Sequence, residues 1–215
     1  MPRRIFAELR KHDLLRIDDP SVRKLDSHLD WILSSLDESD QDADWVAERR
    51  QYLSNAWDDD FFLLSEMVES PIEQLLGAYF LTITNGYVEV KFDCFPGAFS
   101  DPDWGTYFRC QQALYDYRVD FLFKTALKGD YRVLVVECDG HDFHERTKAQ
   151  ASKDRSRDRR LKREGIEVIR FTGSEIYYRP EACAEEVESQ LARAAWQLLY
   201  EHGIERKPRN PTIPN

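Results

Sequence analysis

The sequence lacks any apolar run that approaches the ~20 residues a membrane-spanning helix needs. Residues 1–4, Met-Pro-Arg-Arg, do not begin the apolar stretch of a secretory signal. The four cysteines lie far apart and form no Cys-x-x-Cys pair, which argues against a zinc site or a disulfide framework. We therefore expect a cytoplasmic protein with reduced cysteines and no membrane partner.

An excess of positive charge is also absent, because the 215 residues carry a net charge of −10. Residues 1–69 contain 17 acidic and 9 basic residues, so the rest of the chain is close to neutral. Residues 146–163, in contrast, contain nine basic residues and two acidic ones. A local basic stripe attracts phosphate groups whatever the total charge. Nucleic acid therefore remains a candidate partner.

Helical periodicity dominates residues 1–69, which we predict to be an acidic helical extension. A first helix follows Pro20 and carries the apolar stripe Val22, Leu25, Leu29, Ile32, Leu33 and Leu36. A second helix is expected over about 44–57, with Asp-rich breaks at 37–44 and 58–60. The extension is either a helical cap on the core or a surface for a protein partner or for self-association.

Residues 70–203 alternate between helical and strand patterns and form the predicted main domain. The expected elements are a helix at 71–84, strands at 87–95, 106–115, 117–125 and 131–138, a helix at 147–164, a strand at 166–171 and a helix at 180–203. Residues 204–215 contain three prolines and are predicted to be a disordered tail. The pattern predicts an α/β domain.

Two of these strands meet at a turn centred on Lys128 and Gly129. In a hairpin with this centre, Asp120 faces Glu137, and Asp139 lies on the same face because side chains alternate along a strand. Three carboxylates on one patch repel one another unless a divalent cation neutralises them. The sequence therefore predicts a metal site and a hydrolase.

Other interpretations of these acids stay open. Asp120 and Glu137 could be structural carboxylates held by Arg118 or Arg170. Asp139 has three roles available: a third metal ligand, a partner of a bound water, or a cap of the turn that follows it.

The order of these motifs resembles the PD-(D/E)XK restriction-endonuclease-like superfamily over roughly residues 70–190. The acids Asp120 and Glu137-x-Asp139 are followed by a basic helix and the strand at 167–171. Further features are similar to the very-short-patch-repair-endonuclease branch: Gly140-x-x-Phe143-His144, then Asp154-Arg155, Leu161, Gly165 and Arg170. The resemblance implies an α-β-β-β-α-β mixed sheet flanked by helices, here with an N-terminal helical extension.

The resemblance also implies roles for single residues. Asp120, Glu137 and the Cys138 carbonyl would hold Mg²⁺ or Mn²⁺. His144 would assist proton transfer, as a histidine with an ordinary pKa near ~6.5 can at neutral pH. One departure is that Asp139 stands where the superfamily has a lysine, and Lys153 from the following helix is the candidate replacement.

Glu73 has two competing interpretations. Ser70-Pro71-x-Glu73 matches a capping box, in which the glutamate accepts a hydrogen bond from the backbone N–H of the capping residue. The resemblance instead places an acid on this first helix near the metal, with a catalytic role.

Contacts to nucleic acid are expected from the basic helix and from neighbouring strands. Arg155 is the candidate for a phosphate in the site, and Lys148, Arg159 and Arg163 would grip the backbone. Either Gln111 or Gln112 would point into the site, and the aromatic residues Trp104, Tyr107 and Phe108 either stack on bases or pack in the core.

The sequence thus predicts a Mg²⁺-dependent endonuclease that hydrolyses phosphodiester bonds in DNA, in repair or in defence against foreign DNA. Two alternatives stay open: a non-catalytic nucleic-acid-binding module on an inactivated nuclease fold, and a nuclease that acts on RNA.

Overall fold

The computed structural model of the protein describes residues 20–37, 42–83, 88–94, 104–139 and 148–204, with the backbone alone at 20–23, 37 and 148–155. The helices are α1 Pro20–Asp37, α2 Ala43–Gln51, α3 Trp57–Met67, α4 Pro71–Phe80, α5 Lys148–Arg163, α6 Gly173–Tyr178 and α7 Pro180–Glu201. The strands are β1 Val90–Phe92, β2 Trp104–Leu114, β3 Tyr117–Leu127, β4 Asp130–Asp139 and β5 Glu167–Thr172.

The five strands form one mixed sheet in the order β1-β2-β3-β4-β5. The two outer pairs, β1 with β2 and β4 with β5, are parallel, and the central pairs are antiparallel. The parallel β4–β5 pair is connected through α5, as parallel neighbours require a crossover. A mixed sheet flanked by helices confirms the predicted α/β, restriction-endonuclease-like fold class.

The β3–β4 hairpin has the register that the sequence predicts. Lys128 and Gly129 have positive φ angles of 50° and 90°, which is the backbone of a two-residue hairpin turn with the twist of the strands. Pairing starts with Leu127 opposite Asp130 and continues to Phe121 opposite Val136. A turn of two residues leaves the strands a single register, so it also determines which side chains face each other further along.

The apolar stripe of α1 is buried in the main core. Leu25, Leu29, Ile32 and Leu36 belong to the same cluster of buried residues as the sheet residue Phe121. Each such aliphatic side chain contributes about 1.5–3 kcal/mol when it is buried. This is the packing of a helical cap, although the domain boundary at residue 69 stays a prediction.

Polar contacts also join the N-terminal helices to the main domain. The His28 ring lies 4.8 Å from the ring of Tyr79, and its Nε2 is 3.1 Å from the Thr82 hydroxyl. The buried Arg49 guanidinium donates to the Leu81 carbonyl at 3.2 Å. These bonds satisfy polar groups that would otherwise be buried without partners.

The predicted break at residues 58–60 is wrong. A π-helical turn, Tyr52–Ala56, leads directly into α3, and the three aspartates occupy the first turn of that helix. Carboxylates are favourable there because the helix N-terminus carries a partial positive charge. Asp60 also accepts a hydrogen bond from the Tyr52 hydroxyl at 2.7 Å.

Three smaller differences concern element ends. Helix α4 ends at Phe80, because the Thr82 hydroxyl donates to the Tyr79 carbonyl in a closing turn. Strand β1, predicted at 87–95, spans 90–92 within the described residues, and the short helix α6, started by a Thr172–Glu175 capping box, was not predicted. Most of the predicted disordered tail, residues 205–215, lies outside the described residues.

Within the described residues, no helix has both the length and the apolarity of a membrane span.

Candidate active site

The pairing of strands β3 and β4 ends at Phe121 and Val136, one residue before Asp120. The register carried one residue beyond Phe121 and Val136 puts Asp120 opposite Glu137. The Asp120 carboxylate accepts a hydrogen bond from the Cys138 backbone N–H at 2.7 Å. A side-chain oxygen thus satisfies a donor at the end of the hairpin and holds Asp120 against β4.

Asp120 lies in an environment that disfavours its charge. Burial raises the pKa of Asp120 to about 6, and the negative charges of Glu73 and Asp139 also raise it. The Cys138 N–H and the Arg157 guanidinium act in the opposite direction. The raised pKa of Asp120 thus reflects its burial first, and the two neighbouring negative charges add to it.

Glu137 is 7 % exposed and forms an ion pair with Arg157 of α5. The Arg157 guanidinium also lies over the Tyr117 ring, 5.4 Å from its centroid. Burial and the neighbouring Arg170 lower the pKa of Arg157. Glu137 is therefore a buried carboxylate whose charge is neutralised by the Arg157 guanidinium of α5.

Arg157 is a site residue that the sequence analysis missed. It was one of nine basic residues in the stripe, and nothing in its immediate neighbours distinguished it. The available signal was Leu161, which is fully buried and lies one helical turn after Arg157. A helix with one large apolar side chain must turn that face towards the sheet, and Arg157 shares the face.

Glu73 is also 7 % exposed and is held by four hydrogen bonds. The Ser70 hydroxyl accepts from the Glu73 N–H at 3.3 Å, as a helix cap should. The carboxylate accepts from the Ser70 hydroxyl at 2.6 Å, the Glu69 N–H at 3.0 Å and Gln111 Nε2 at 2.7 Å. The sequence predicted that the carboxylate would accept a hydrogen bond from the Ser70 backbone N–H. It accepts from the Glu69 N–H and from Gln111 of β2 instead.

Of the two candidate glutamines, Gln111 contacts the acid cluster. Its φ angle is +52°, a left-handed conformation that is unusual for a non-glycine residue inside a strand. Its neighbours Cys110 and Gln112 pair with Phe121 and Val119 of β3, so Gln111 lies opposite Asp120 in this register. The Gln112 side chain donates to the Cys110 carbonyl instead.

Helix α5 is tethered to neighbouring elements by further ion pairs. Arg160 pairs with Asp116 at 2.5 Å, and Asp158 pairs with Arg170 at 2.6 Å. The predicted phosphate contacts Arg159 and Arg163 lie on the exposed side of the helix. Their roles stay predictions.

Several predicted residues are not described with side chains. The structure describes only the backbone at Lys148, Lys153 and Arg155, which gives their positions along α5. His144 lies outside the described residues. Among the aromatic candidates, Phe108 is fully buried in the core and cannot stack on a base.

The donor chemistry of the cluster fits a divalent cation. Carboxylate and carbonyl oxygens are the ligands that Mg²⁺ prefers. The carboxylates of Glu73 and Asp139 act on that of Asp120, and Glu137 pairs with Arg157. Across the described residues, no group of three or more His, Cys, Asp or Glu side chains converges as a metal site. In the present arrangement, the Arg157 guanidinium pairs with one oxygen of the Glu137 carboxylate.

A family model named REase_MTES_1575, of a restriction endonuclease family, matches residues 102–191. The match supports a restriction-endonuclease-like relationship. It spans β2 to the first half of α7, and includes Asp120, Glu137 and Arg157. Nuclease activity on nucleic acid is what this relationship suggests, and the match does not single out the very-short-patch-repair branch. Comparisons with curated proteins and with solved structures found no match.

Proposed function

We propose that the protein is a metal-dependent endonuclease that hydrolyses phosphodiester bonds in DNA. The observation that carries the proposal is the end of the β3–β4 hairpin, where the register continued from Phe121 and Val136 has Asp120 opposite Glu137. Burial and the charges of Glu73 and Asp139 raise the pKa of Asp120 there. Clustered carboxylates with a perturbed pKa are costly for stability and are typical of functional sites.

Asp120, Glu137 and the Cys138 carbonyl are the proposed ligands of Mg²⁺ or Mn²⁺. A bound divalent ion supplies an acidified water and positive charge near the phosphate. The Cys138 N–H donates to one Asp120 oxygen and so orients the carboxylate. Glu73 is oriented by Ser70, Glu69 and Gln111, and it adds negative charge to the site.

The remaining roles follow the expectations from the sequence. His144 assists proton transfer to or from the attacking water, and Lys153 or Arg155 steadies the phosphate. Exposed basic residues of α5, such as Arg159 and Arg163, grip the DNA backbone, together with Lys148. Repair or defence against foreign DNA is the proposed setting, by analogy with the branch that the motifs resemble.

A second candidate function is a non-catalytic nucleic-acid-binding module. The observation that favours it is the Glu137–Arg157 ion pair, together with an aspartate, Asp139, at the position of the superfamily's lysine. A permanent ion pair would keep Glu137 for structural purposes. The basic face of α5 would then bind nucleic acid without cleaving it.

Cleavage assays with purified protein separate these functions. We expect nicking or cutting of supercoiled plasmid in Mg²⁺ or Mn²⁺ and none in EDTA. Asp120→Ala should lower the rate by about 100-fold or more, because several kcal/mol of charge stabilisation are lost with the ion. Asp116→Ala, which removes an exposed aspartate of the β2–β3 turn, is the matched control and should cleave normally.

The substrate panel should also contain linear DNA, single-stranded DNA and RNA. Cleavage of RNA alone would change the substrate of the proposal. Wild-type cleavage by Asp120→Ala would contradict the assigned site. Binding of DNA without cleavage under any metal condition would favour the non-catalytic module.

A further inference from the structure

Arg157 reaches into the acid cluster from a helix that is otherwise anchored elsewhere. Three ion pairs tether α5 among the described residues: Arg157 with Glu137, Arg160 with Asp116, and Asp158 with Arg170. Leu161 adds an apolar anchor, since its side chain is fully buried. Helix α5 therefore has other attachments to the molecule besides Arg157.

The Glu137–Arg157 pair differs from the other two in its burial. Its side chains are 13 % and 10 % exposed, whereas the acids of the other pairs are 68 % and 49 % exposed. Exposed pairs contribute little to stability, but each charge in a buried pair depends strongly on its partner. Glu137 thus needs a positive charge beside it, whatever supplies that charge.

Several acids lie near the Arg157 guanidinium. Asp120 is influenced by the negative charges of Glu73 and Asp139 as well as by the positive charge of Arg157. Glu137 adds a further carboxylate, which pairs with Arg157 and lies opposite Arg170 in the register of β4 with β5. A divalent ion would neutralise the cluster better, but it would compete with the guanidinium for the same carboxylate.

We propose that Arg157 is an exchangeable counter-ion of the active site. It neutralises and positions Glu137 while the site is metal-free, and it releases the Glu137 carboxylate when a divalent cation binds. This inference rests on the proposed function. The released guanidinium, with its fork of N–H donors, is then free to bind an incoming phosphate group.

Calorimetric titration of the full chain with Mg²⁺ alone, and separately with Mn²⁺ alone, tests the exchange. Arg157→Gln removes the competing charge, so this variant should bind the ion about tenfold more tightly than the wild type or better. Arg160→Gln is a closely matched control. Arg160 lies on the same helix, pairs with an acid and lies 4.3 Å from a tyrosine ring centroid, that of Tyr115. Its variant should bind the ion with wild-type affinity.

Each outcome of the titration has a distinct meaning. Equal or weaker binding by Arg157→Gln, with normal binding by the wild type, overturns the inference and leaves the proposed function intact. Absence of binding by both proteins refutes the metal-dependent function and the inference with it. Binding by Arg157→Gln alone overturns the exchange, because the wild-type arginine would then block the site and would not release Glu137 to the ion.

Nuclear magnetic resonance of the wild type provides a second test, which does not depend on the folding of a variant. In protein labelled with ¹⁵N-arginine, the Nε–H signal of Arg157 should move or broaden on addition of Mg²⁺, while that of Arg160 stays in place. An unchanged Arg157 signal at a Mg²⁺ concentration that saturates the calorimetric isotherm would overturn the inference.

Discussion

Replacement of Asp120 by asparagine should stabilise the metal-free protein above neutral pH. Asparagine keeps an oxygen that can accept the Cys138 N–H, and it removes a charge that burial disfavours and that Glu73 and Asp139 repel. The pKa of Asp120 is raised from 3.8 to about 6, and each pKa unit corresponds to ~1.36 kcal/mol. The full shift is about 3 kcal/mol, and because Asp120 is only half-buried we expect a gain of about 2 kcal/mol.

The sign of the pH dependence follows from the direction of the shift. A carboxyl group with a raised pKa in the folded state stabilises the fold when it is protonated. Its contribution is complete below the unfolded pKa near ~3.9 and is lost as the pH rises through about 6. Asp120→Asn should therefore match the wild type near pH 4 and exceed it above pH 7.

Urea denaturation in EDTA, repeated at half-unit steps from pH 4 to pH 8, measures this difference. Asp116→Asn, in the exposed turn between β2 and β3, is the control and should lose at most about 1 kcal/mol at every pH. If Asp120→Asn is no more stable than the wild type at pH 8, burial and repulsion do not raise the pKa of Asp120 in the metal-free protein. With saturating Mg²⁺ the advantage of the variant should shrink, because the ion stabilises only the wild type.

Three further predictions concern the basic helix and the N-terminal extension. Arg159→Ala with Arg163→Ala should reduce the slope of log affinity for DNA against log salt by about one unit per lost phosphate contact, measured by fluorescence anisotropy; an unchanged slope would remove these residues from the interface. Leu29→Ala should lower the free energy of unfolding by about 2–5 kcal/mol in one cooperative urea transition, since Leu29 is buried in the shared core, and a separate early transition would contradict this packing. Deletion of residues 1–60 should cause aggregation in size-exclusion chromatography, because it exposes the surface that α1 covers; a soluble, fully active fragment would show that the extension is not an integral cap.

The parts of the fold that the sequence predicted correctly depend on contacts between residues close in the chain. The hairpin at Lys128 and Gly129 needs two positive φ angles and equal alternation in both strands, so its register could be worked out from the sequence. The start of α7 at Pro180 and its end before Gly203, which has a φ of +64°, follow from the same kind of local preference. The facing positions of Asp120 and Glu137 are a direct consequence of the hairpin.

The sequence prediction failed where one sequence pattern is compatible with two local structures. Three consecutive aspartates at 58–60 were interpreted as a break, yet the same residues are favourable in the first turn of a helix. The aspartates began α3 because the preceding π-helical turn continued the chain into it and because Asp60 bonds Tyr52. Composition alone does not distinguish a helix start from a loop.

The sequence by itself thus determined the sheet, the hairpin register and the acids at its end. Only the tertiary structure decided which basic residue neutralises Glu137 and what holds Glu73. Arg157 was selected from nine basic residues by the docking of α5 on the sheet, and Gln111 reaches Glu73 through a left-handed backbone conformation that no local pattern predicts. Both contacts join elements distant in the chain, so they depend on how helices pack on the sheet rather than on the preferences of neighbouring residues.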